Sequence, residues 1–243
     1  MATFVTFWTL LLGCLLSAER RARVAAKSAG EWLLDVSGLL VQGFVIPAVQ
    51  ILVLYELYRR VAPSMQGVLR MPGWCAFALN FVVIDYLYYW NHRLLHSRLG
   101  WPVHAVHHSM TDMDVLGTSR NTLWSSFLIV YVWLNSAAIF LLADPAAYVA
   151  AASLTACLDL WRHSPFQPPA AASRVLGVVL ILPGDHGGHH AEDGQRANYG
   201  ANLNLWDRLH GTWSPRREIP SALGVPVELP LWRRLLWPFS VSA

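Results

Sequence analysis

Residues 74–108 read WCAFALNFVVIDYLYYWNHRLLHSRLGWPVHAVHH. An apolar run over 74–91 approaches the roughly 20 residues a transmembrane helix needs, and it ends on histidines. A helix turns about 100° per residue, so His92 and His96, four apart, share one face. His104, His107 and His108 stand at i, i+3 and i+4, again one face with one offset neighbour. The same spacing returns at His186, His189 and His190, with His163 alone in between. Nine of the ten histidines fall into this pattern, all beside long apolar segments.

Working outward, four further apolar segments are candidate spans: 2–18, 33–58 with a kink expected at Pro47, 122–142 and 146–161. Only Ala143, Asp144 and Pro145 separate the last two, so they must be antiparallel neighbours. Glu19, Arg20, Arg21, Arg23 and Lys27 follow the first segment. A cleaved signal peptide carries its positive charge before the apolar run, so an uncleaved anchor with an outside N-terminus is expected. Five spans then place 19–32, 92–121 and 162–243 in the cytoplasm with 15 of the 18 Lys and Arg, the usual bias; Arg59, Arg60 and Arg70 stay outside. Every histidine cluster lands on that same side. The expected fold is an all-α integral membrane helical bundle of four to five spans, four if the first segment lies in the interface, with a cytoplasmic histidine-rich cap. Residues 1–73 are expected to form N-terminal membrane helices, 74–217 the histidine-bearing domain, and 218–243 an interfacial tail. Residues 174–182 are too short to span and read as re-entrant or interfacial. Leu, Trp and Arg alternate over 231–239, as in a surface-lying amphipathic stretch.

Composition agrees. The chain of 243 residues is 55% hydrophobic and 14% charged, against about a quarter charged in soluble domains. Twelve tryptophans and eight tyrosines suit membrane interfaces. A net charge of +3, with no basic stripe and no interleaved aromatics, argues against nucleic acid. Cys14, Cys75 and Cys157 all lie in apolar segments, without a CxxC pair, and read as small buried hydrophobes.

A lone histidine near a membrane is usually an interfacial side chain. Nine in repeated spacing resist that reading, because each buried imidazole needs a hydrogen-bond partner and few carboxylates lie nearby. Metal ions satisfy many imidazoles at once. Zinc takes about four ligands, so nine histidines over-supply one zinc. Two six-coordinate ions offer about twelve positions, leaving a few for oxygen, water or a bridge, and imidazole suits iron. That arithmetic favours two iron ions. Asp85, seven residues before His92 and near the same face, is placed to accept a ligand ring N–H and fix its tautomer. Gly187 and Gly188 let the backbone come close between ligands.

The stretch from Asp85 through His92 and His96 to His104-Ala-Val-His107-His108-Ser109 resembles the fatty acid hydroxylase superfamily, which includes sterol desaturases. Asp185-His186-Gly-Gly-His189-His190, Asn198-Tyr199-Gly200 and Leu205-Trp206-Asp207-Arg208-Leu209-His210-Gly211-Thr212-Trp213 match its later boxes in order and spacing. The match runs from roughly residue 80 to 213. The resemblance implies an integral membrane di-iron enzyme that uses O2 and reducing equivalents to hydroxylate or desaturate lipids, built as a transmembrane base carrying a cytoplasmic metal-holding cap. It assigns metal ligation to His92, His96, His104, His107, His108, His163, His186, His189 and His190. Asn198 reads equally well as a support of the site and as a simple turn residue, and Asp207 is expected to orient the cap rather than touch a metal. Two departures stand out. The family usually carries Phe where this chain has His210, which predicts packing rather than ligation. Some members have a second histidine just after the one matching His163; here Ser164, Pro165 and Phe166 follow, leaving a position for water or another side chain.

The leading expectation is therefore a membrane di-iron monooxygenase that hydroxylates a long apolar lipid: a sterol, fatty acyl lipid or carotenoid. A desaturase on the same scaffold is the alternative. A zinc-dependent membrane hydrolase is more distant, because no H-E-x-x-H motif occurs. A haem electron carrier would place histidine pairs inside the spans rather than at their ends. With no flavin or dinucleotide fingerprint and no iron–sulfur cysteines, electrons must come from a separate ferredoxin, cytochrome or reductase. The expected location is the cell inner membrane or the endoplasmic reticulum.

Overall fold

The computed structural model describes residues 1–191, 193, 196–216 and 218–239. Among these the regular structure is helical; extended pairing is confined to single bridges, Leu69 with Leu142 and Leu180 with Leu203. Residue 217, the expected boundary of the histidine-bearing domain, and residues 240–243 lie outside the described residues.

Helix α1 (Ala2–Leu16) turns through 106° into α2 (Ala18–Ala25). Ser17 makes this corner, its hydroxyl accepting from Arg20 N at 3.4 Å. Helix α3 (Ala29–Val61) begins at a reciprocal cap: Ser28 Oγ accepts from Glu31 N, and the Glu31 carboxylate accepts from Ser28 N. It runs on through Pro47, flanked by π-wound turns at Val41–Val45 and Val49–Tyr55, and does not break there. Its 33 residues reach about 50 Å, beyond the roughly 30 Å of a hydrocarbon core. Only 11% of its apolar window is buried within the protein, so this face is not that of a soluble core helix. Helix α4 (73–95) follows in three unbroken parts, Gly73–Ala78, the π-wound Leu79–Ile84, and Asp85–Leu95. After the short α5 (Trp101–His104) come the hairpin helices α6 (Val130–Leu141) and α7 (Ala146–Arg162), then α8 (Ala170–Leu176), α9 (Pro183–His190), α10 (Leu205–Leu209) and α11 (Leu231–Leu236).

The apolar helices pack as a bundle. Helix α7 lies against α1 and the start of α4, and α6 against the second half of α3. Ala76, Ile84, Ala138, Leu142 and Tyr148 form one buried cluster; Ile46, Leu54 and Val132 form another. Polar ties cross the bundle: Asn135 Oδ1 accepts from Asn80 Nδ2 (3.1 Å) and from Tyr148 OH (2.7 Å), and Gln50 Nε2 donates to Val132 O (3.1 Å). Such interhelical bonds contribute about 0.6 kcal/mol each in membrane proteins.

The spans differ from expectation. Among the described residues one helix, α3, is long and apolar enough to cross a membrane, and the bent α1–α2 pair qualifies only if taken as a single span. The segment expected at 122–142 becomes helical at Val130; residues 125–128 form a single 3-10 turn. Twelve residues reach about 18 Å. The reason is local: Thr122, Trp124 and Leu123 bond to the backbone of Arg234, Leu236 and Leu235 on α11, which holds 122–124 in the cap. The segment read as interfacial at 174–182 leaves α8 with exposed Val175, Val178 and Val179.

Candidate metal centre

Five elements deliver the histidines. Helix α4 ends on His92 and His96, α5 on His104, and a 3-10 turn holds His107–Ser109. His163 caps α7 at its C-terminus, and α9 carries His186, His189 and His190. Every residue of α9 is buried. The room left by its glycines is taken from outside: a Cβ at Gly188 would lie 2.6 Å from Arg216 Cδ, and one at Gly187 3.0 Å from Ile219. The glycines thus admit the following chain rather than bring ligands together. That chain closes over the site, with Gly224 N donating to His190 O (3.1 Å) and Val225 N to His108 O (2.8 Å). The C-terminal segment is therefore part of the cap, not merely an interfacial tail.

The nine expected histidines come together as two groups. His92, His96, His104, His108 and His189 form one; His107, His163, His186 and His190 form the other; within each, the candidate ligand nitrogens lie within 4.8 Å of one another. The clusters that looked alike in sequence are split in space. His104 and His108 join the first group while His107, between them, joins the second. His186 and His190 join the second while His189 joins the first. Within α9 a residue at i+3 lies about 60° from one at i and 100° from one at i+4, and His189 uses that offset to leave His186 and His190; in the other cluster the helix ends at His104 and a 3-10 turn sets His107 apart.

Hydrogen bonding fixes the tautomers. His92 Nδ1 donates to Tyr199 O (2.9 Å), His189 Nδ1 to Ala197 O (2.6 Å), His107 Nδ1 to Arg120 O (3.2 Å) and His163 Nδ1 to Asp159 O (2.9 Å). A carbonyl only accepts, so Nδ1 carries the proton and Nε2 bears a lone pair. Yet His92 Nε2 faces His189 Nε2 at 3.2 Å, and His107 Nε2 faces His163 Nε2 at 3.3 Å. Burial holds the imidazoles neutral: it lowers His107 and His189 to about 3 and pushes His92, His104, His108, His186 and His190 well below the ordinary value. Each group therefore contains lone pairs facing one another with no proton between. Both nitrogens of His190 and the Nδ1 atoms of His108 and His186 lack partners among the described residues, each omission costing roughly 1–3 kcal/mol.

A metal ion resolves this arrangement. Ligand nitrogens at about 2.1 Å from one ion lie about 3.0 Å apart at a right angle and about 3.4 Å apart at the tetrahedral angle. The close Nε2 pairs, including His92–His104 at 3.0 Å and His163–His186 at 2.9 Å, span 2.9–3.3 Å. The residues fit two ions, one per group.

The surrounding residues correct one expectation. Asp85 does not reach a ligand. Its carboxylate accepts from Asn202 N (2.8 Å), Leu203 N (3.2 Å) and Trp206 Nε1 (2.9 Å). Seven residues share a helix face but rise about 10.5 Å, too far for an aspartate, so the His92 proton goes to Tyr199 O. Asp207 Oδ1 accepts from Tyr199 N and Thr212 Oγ1, and Oδ2 from Gly200 N, holding the backbone that receives His92. Asn198, at a φ of 57° that asparagine tolerates, binds Asp185 O, Ser214 O and Ser214 N. His210 joins neither group; its ring stacks on Tyr86 and Tyr89, and its Nε2 lies 3.2 Å from Tyr86 OH. Two contributors were missed in the sequence. Asp159, one helical turn before His163, accepts the Nδ1 proton on its backbone carbonyl (2.9 Å) and sets a carboxylate oxygen 3.5 Å from the same nitrogen; only the carboxylate offered an i, i+4 signal. The Arg120 carbonyl offered none, since a backbone acceptor leaves no trace in residue type.

The family model for fatty acid hydroxylase matches residues 77–212, more than half of the chain. The chain belongs to the fatty acid hydroxylase family. Human alkylglycerol monooxygenase is 27% identical over 142 residues, covering 57% of this chain and 30% of that protein. Ornithine lipid hydroxylase OlsE of Rhizobium tropici is 29% identical over 157 residues, 60% of this chain and 44% of its own. Fatty acid hydroxylase vlmA of a Lecanicillium species is 28% identical over 195 residues, 72% of this chain and 52% of its own. The chain thus spans about a third to a half of these curated relatives. No solved structure matches.

Proposed function

We propose that this chain is a membrane di-iron oxygenase that hydroxylates a long-chain lipid, using O2 and electrons from a separate donor protein. The observation that carries this reading is the pair of buried imidazole groups, each with fixed tautomers and opposed Nε2 lone pairs. The relatives act, by their names, on an alkylglycerol, an ornithine lipid and a fatty acid; a long acyl or alkyl chain is common to them. His92, His96, His104, His108 and His189 would hold one ion, and His107, His163, His186 and His190 the other. Iron bound there supplies the activation of O2. The second set has one imidazole fewer, which leaves room for a non-protein ligand.

The chain's own residues do the rest. Backbone carbonyls of Tyr199, Ala197, Arg120 and Asp159 orient four imidazoles. The segment through Gly224 and Val225 excludes water from above. On the side of the helical bundle, Tyr88 stands 5.4 Å from the His92 ring and stacks on Tyr131 of α6 at 4.9 Å.

Four to five membrane-associated segments, with the histidine cap facing the cytoplasm, belong to the same reading. Its support is the charge bias and the α6–α7 hairpin, which returns His163 to the side of the second cluster. The test is metal analysis of purified protein together with lipid profiling of a deletion strain. A hydroxylated lipid absent from the deletion strain, restored by the gene, is the expected result. Unchanged lipids with a hydrolytic activity needing zinc alone would overturn it.

A further inference from the structure

Helix α3 lies outside the stretch that matches the family model, yet it touches the second histidine group through one turn. Asp35, wholly buried, accepts from Arg120 Nε (2.6 Å) and Nη2 (3.0 Å) and from Lys27 Nζ (2.6 Å). Lys27 also reaches Asp114 at 2.7 Å, and Asp114 Oδ1 accepts from Gly117 N at 2.9 Å. Arg120 grips the histidine turn twice. Its carbonyl accepts the His107 Nδ1 proton, and its Nη1 donates to Ser109 O at 3.3 Å. One helical turn beyond Asp35, Gly38 brings the α3 backbone onto the same loop. A Cβ there would lie 1.9 Å from Ser119 O and 2.7 Å from Ser119 C. Both are backbone atoms, so no side-chain rotation relieves the clash.

We propose that Asp35 and Gly38 are positioning residues for the second metal: α3, through them, fixes Arg120 and hence the orientation and tautomer of His107. The inference rests on the two-ion reading above. The chain of contacts is short and buried, with Asp35 and Arg120 both closed off from the surface. A buried carboxylate with two bonds to one guanidinium fixes that side chain in both direction and distance. The guanidinium and carbonyl of Arg120 together fix the turn that carries His107. Of the first group only His108 shares this turn, and Arg120 binds the turn at the His107 ring and at Ser109 O; the fixed rings of His92 and His189 lean on Tyr199 O and Ala197 O instead. Loss of the α3 contact should therefore act on the His107-side ion before the other.

The test uses the full chain, purified in detergent and loaded with isotopically enriched iron. Asp35→Asn removes the charge opposite Arg120 and Lys27. Gly38→Ala forces helix and loop apart by about 1 Å, a displacement able to cost on the order of 100-fold at a site. Both are expected to lower iron from about two to about one per chain, with loss of one of two Mössbauer doublets, the one also lost in His107→Ala. Asn135→Ala removes a polar tie between bundle helices, to Asn80 and Tyr148, and is expected to lower the melting temperature while keeping both doublets. Arg120→Lys is the mildest change and serves where Asp35→Asn or Gly38→Ala does not accumulate folded. There a chelator should remove the His107-side iron 10- to 100-fold more readily than in the parent, with the other iron unchanged. Retention of both irons at parental affinity, or loss of both together, would overturn the inference. A parent protein lacking two irons would instead overturn the functional reading on which it rests.

Discussion

Asp207→Ala removes a carboxylate that touches no candidate ligand, yet it should loosen a metal. Three donors lose their acceptor: Tyr199 N and Gly200 N, each at 2.8 Å, and Thr212 Oγ1 at 2.7 Å. Orphaning buried donors costs about 1–3 kcal/mol each, and the loop relaxes to recover part of that, so a loss of about 3–5 kcal/mol is expected. The loop carries Tyr199 O, which receives the His92 Nδ1 proton at 2.9 Å. Freed of that carbonyl, His92 loses its fixed tautomer. Removal of such a support typically weakens a metal by 10- to 100-fold, or about 1.4–2.7 kcal/mol. Asp207→Asn should rescue little, because its amide would set an N–H group against Gly200 N–H. The assay is iron retention against graded chelator, measured beside a thermal melt of the same sample. A lower melting temperature with unchanged iron affinity would refute the link from Asp207 through Tyr199 to His92.

His107→Ala and His189→Ala are expected to abolish lipid hydroxylation, whereas His210→Ala keeps much of it, since His210 stacks on Tyr86 and Tyr89 outside both groups; equal loss in all three would make His210 essential. Metal-free protein should lose stability as pH falls. The folded imidazoles of His107 and His189 titrate at about 3, while in the unfolded chain they titrate near 6.5. Their neutral fold is therefore at full stability above about pH 6.5 and loses about 1.4 kcal/mol per pH unit for each such histidine on the way down to about 3; a melting temperature flat between pH 7 and 5 would contradict the burial. Cysteine labelling at exposed Thr111 and exposed Asp144 should find the two sites on opposite faces of the membrane; both on one face would remove the hairpin and the shared cap with it.

The chemistry was more legible than the membrane topology. Imidazole spacing is a property of residue type, so His92 through His190 stand out in the sequence. Which of the two groups each joins was not legible, because His104 and His107 look alike until α5 ends at His104 and the chain tightens into a 3-10 turn. Asp85 misled because angular position on a helix ignores rise. The segment at 122–142 misled because its apolar composition suits cap packing against α11 as well as a span. Arg120 and Asp35 lie 85 positions apart, and nothing local pairs them. Asp207 accepts from the backbone of Tyr199 and Gly200, contacts that residue type alone does not announce.

The most direct measurement is the metal content of the purified full chain, by mass spectrometry, set against lipid turnover of the same sample. Two buried imidazole groups predict about two irons per chain, with turnover rising in step as both are loaded. Full turnover with zinc as the sole metal, or with a single ion per chain, would contradict it.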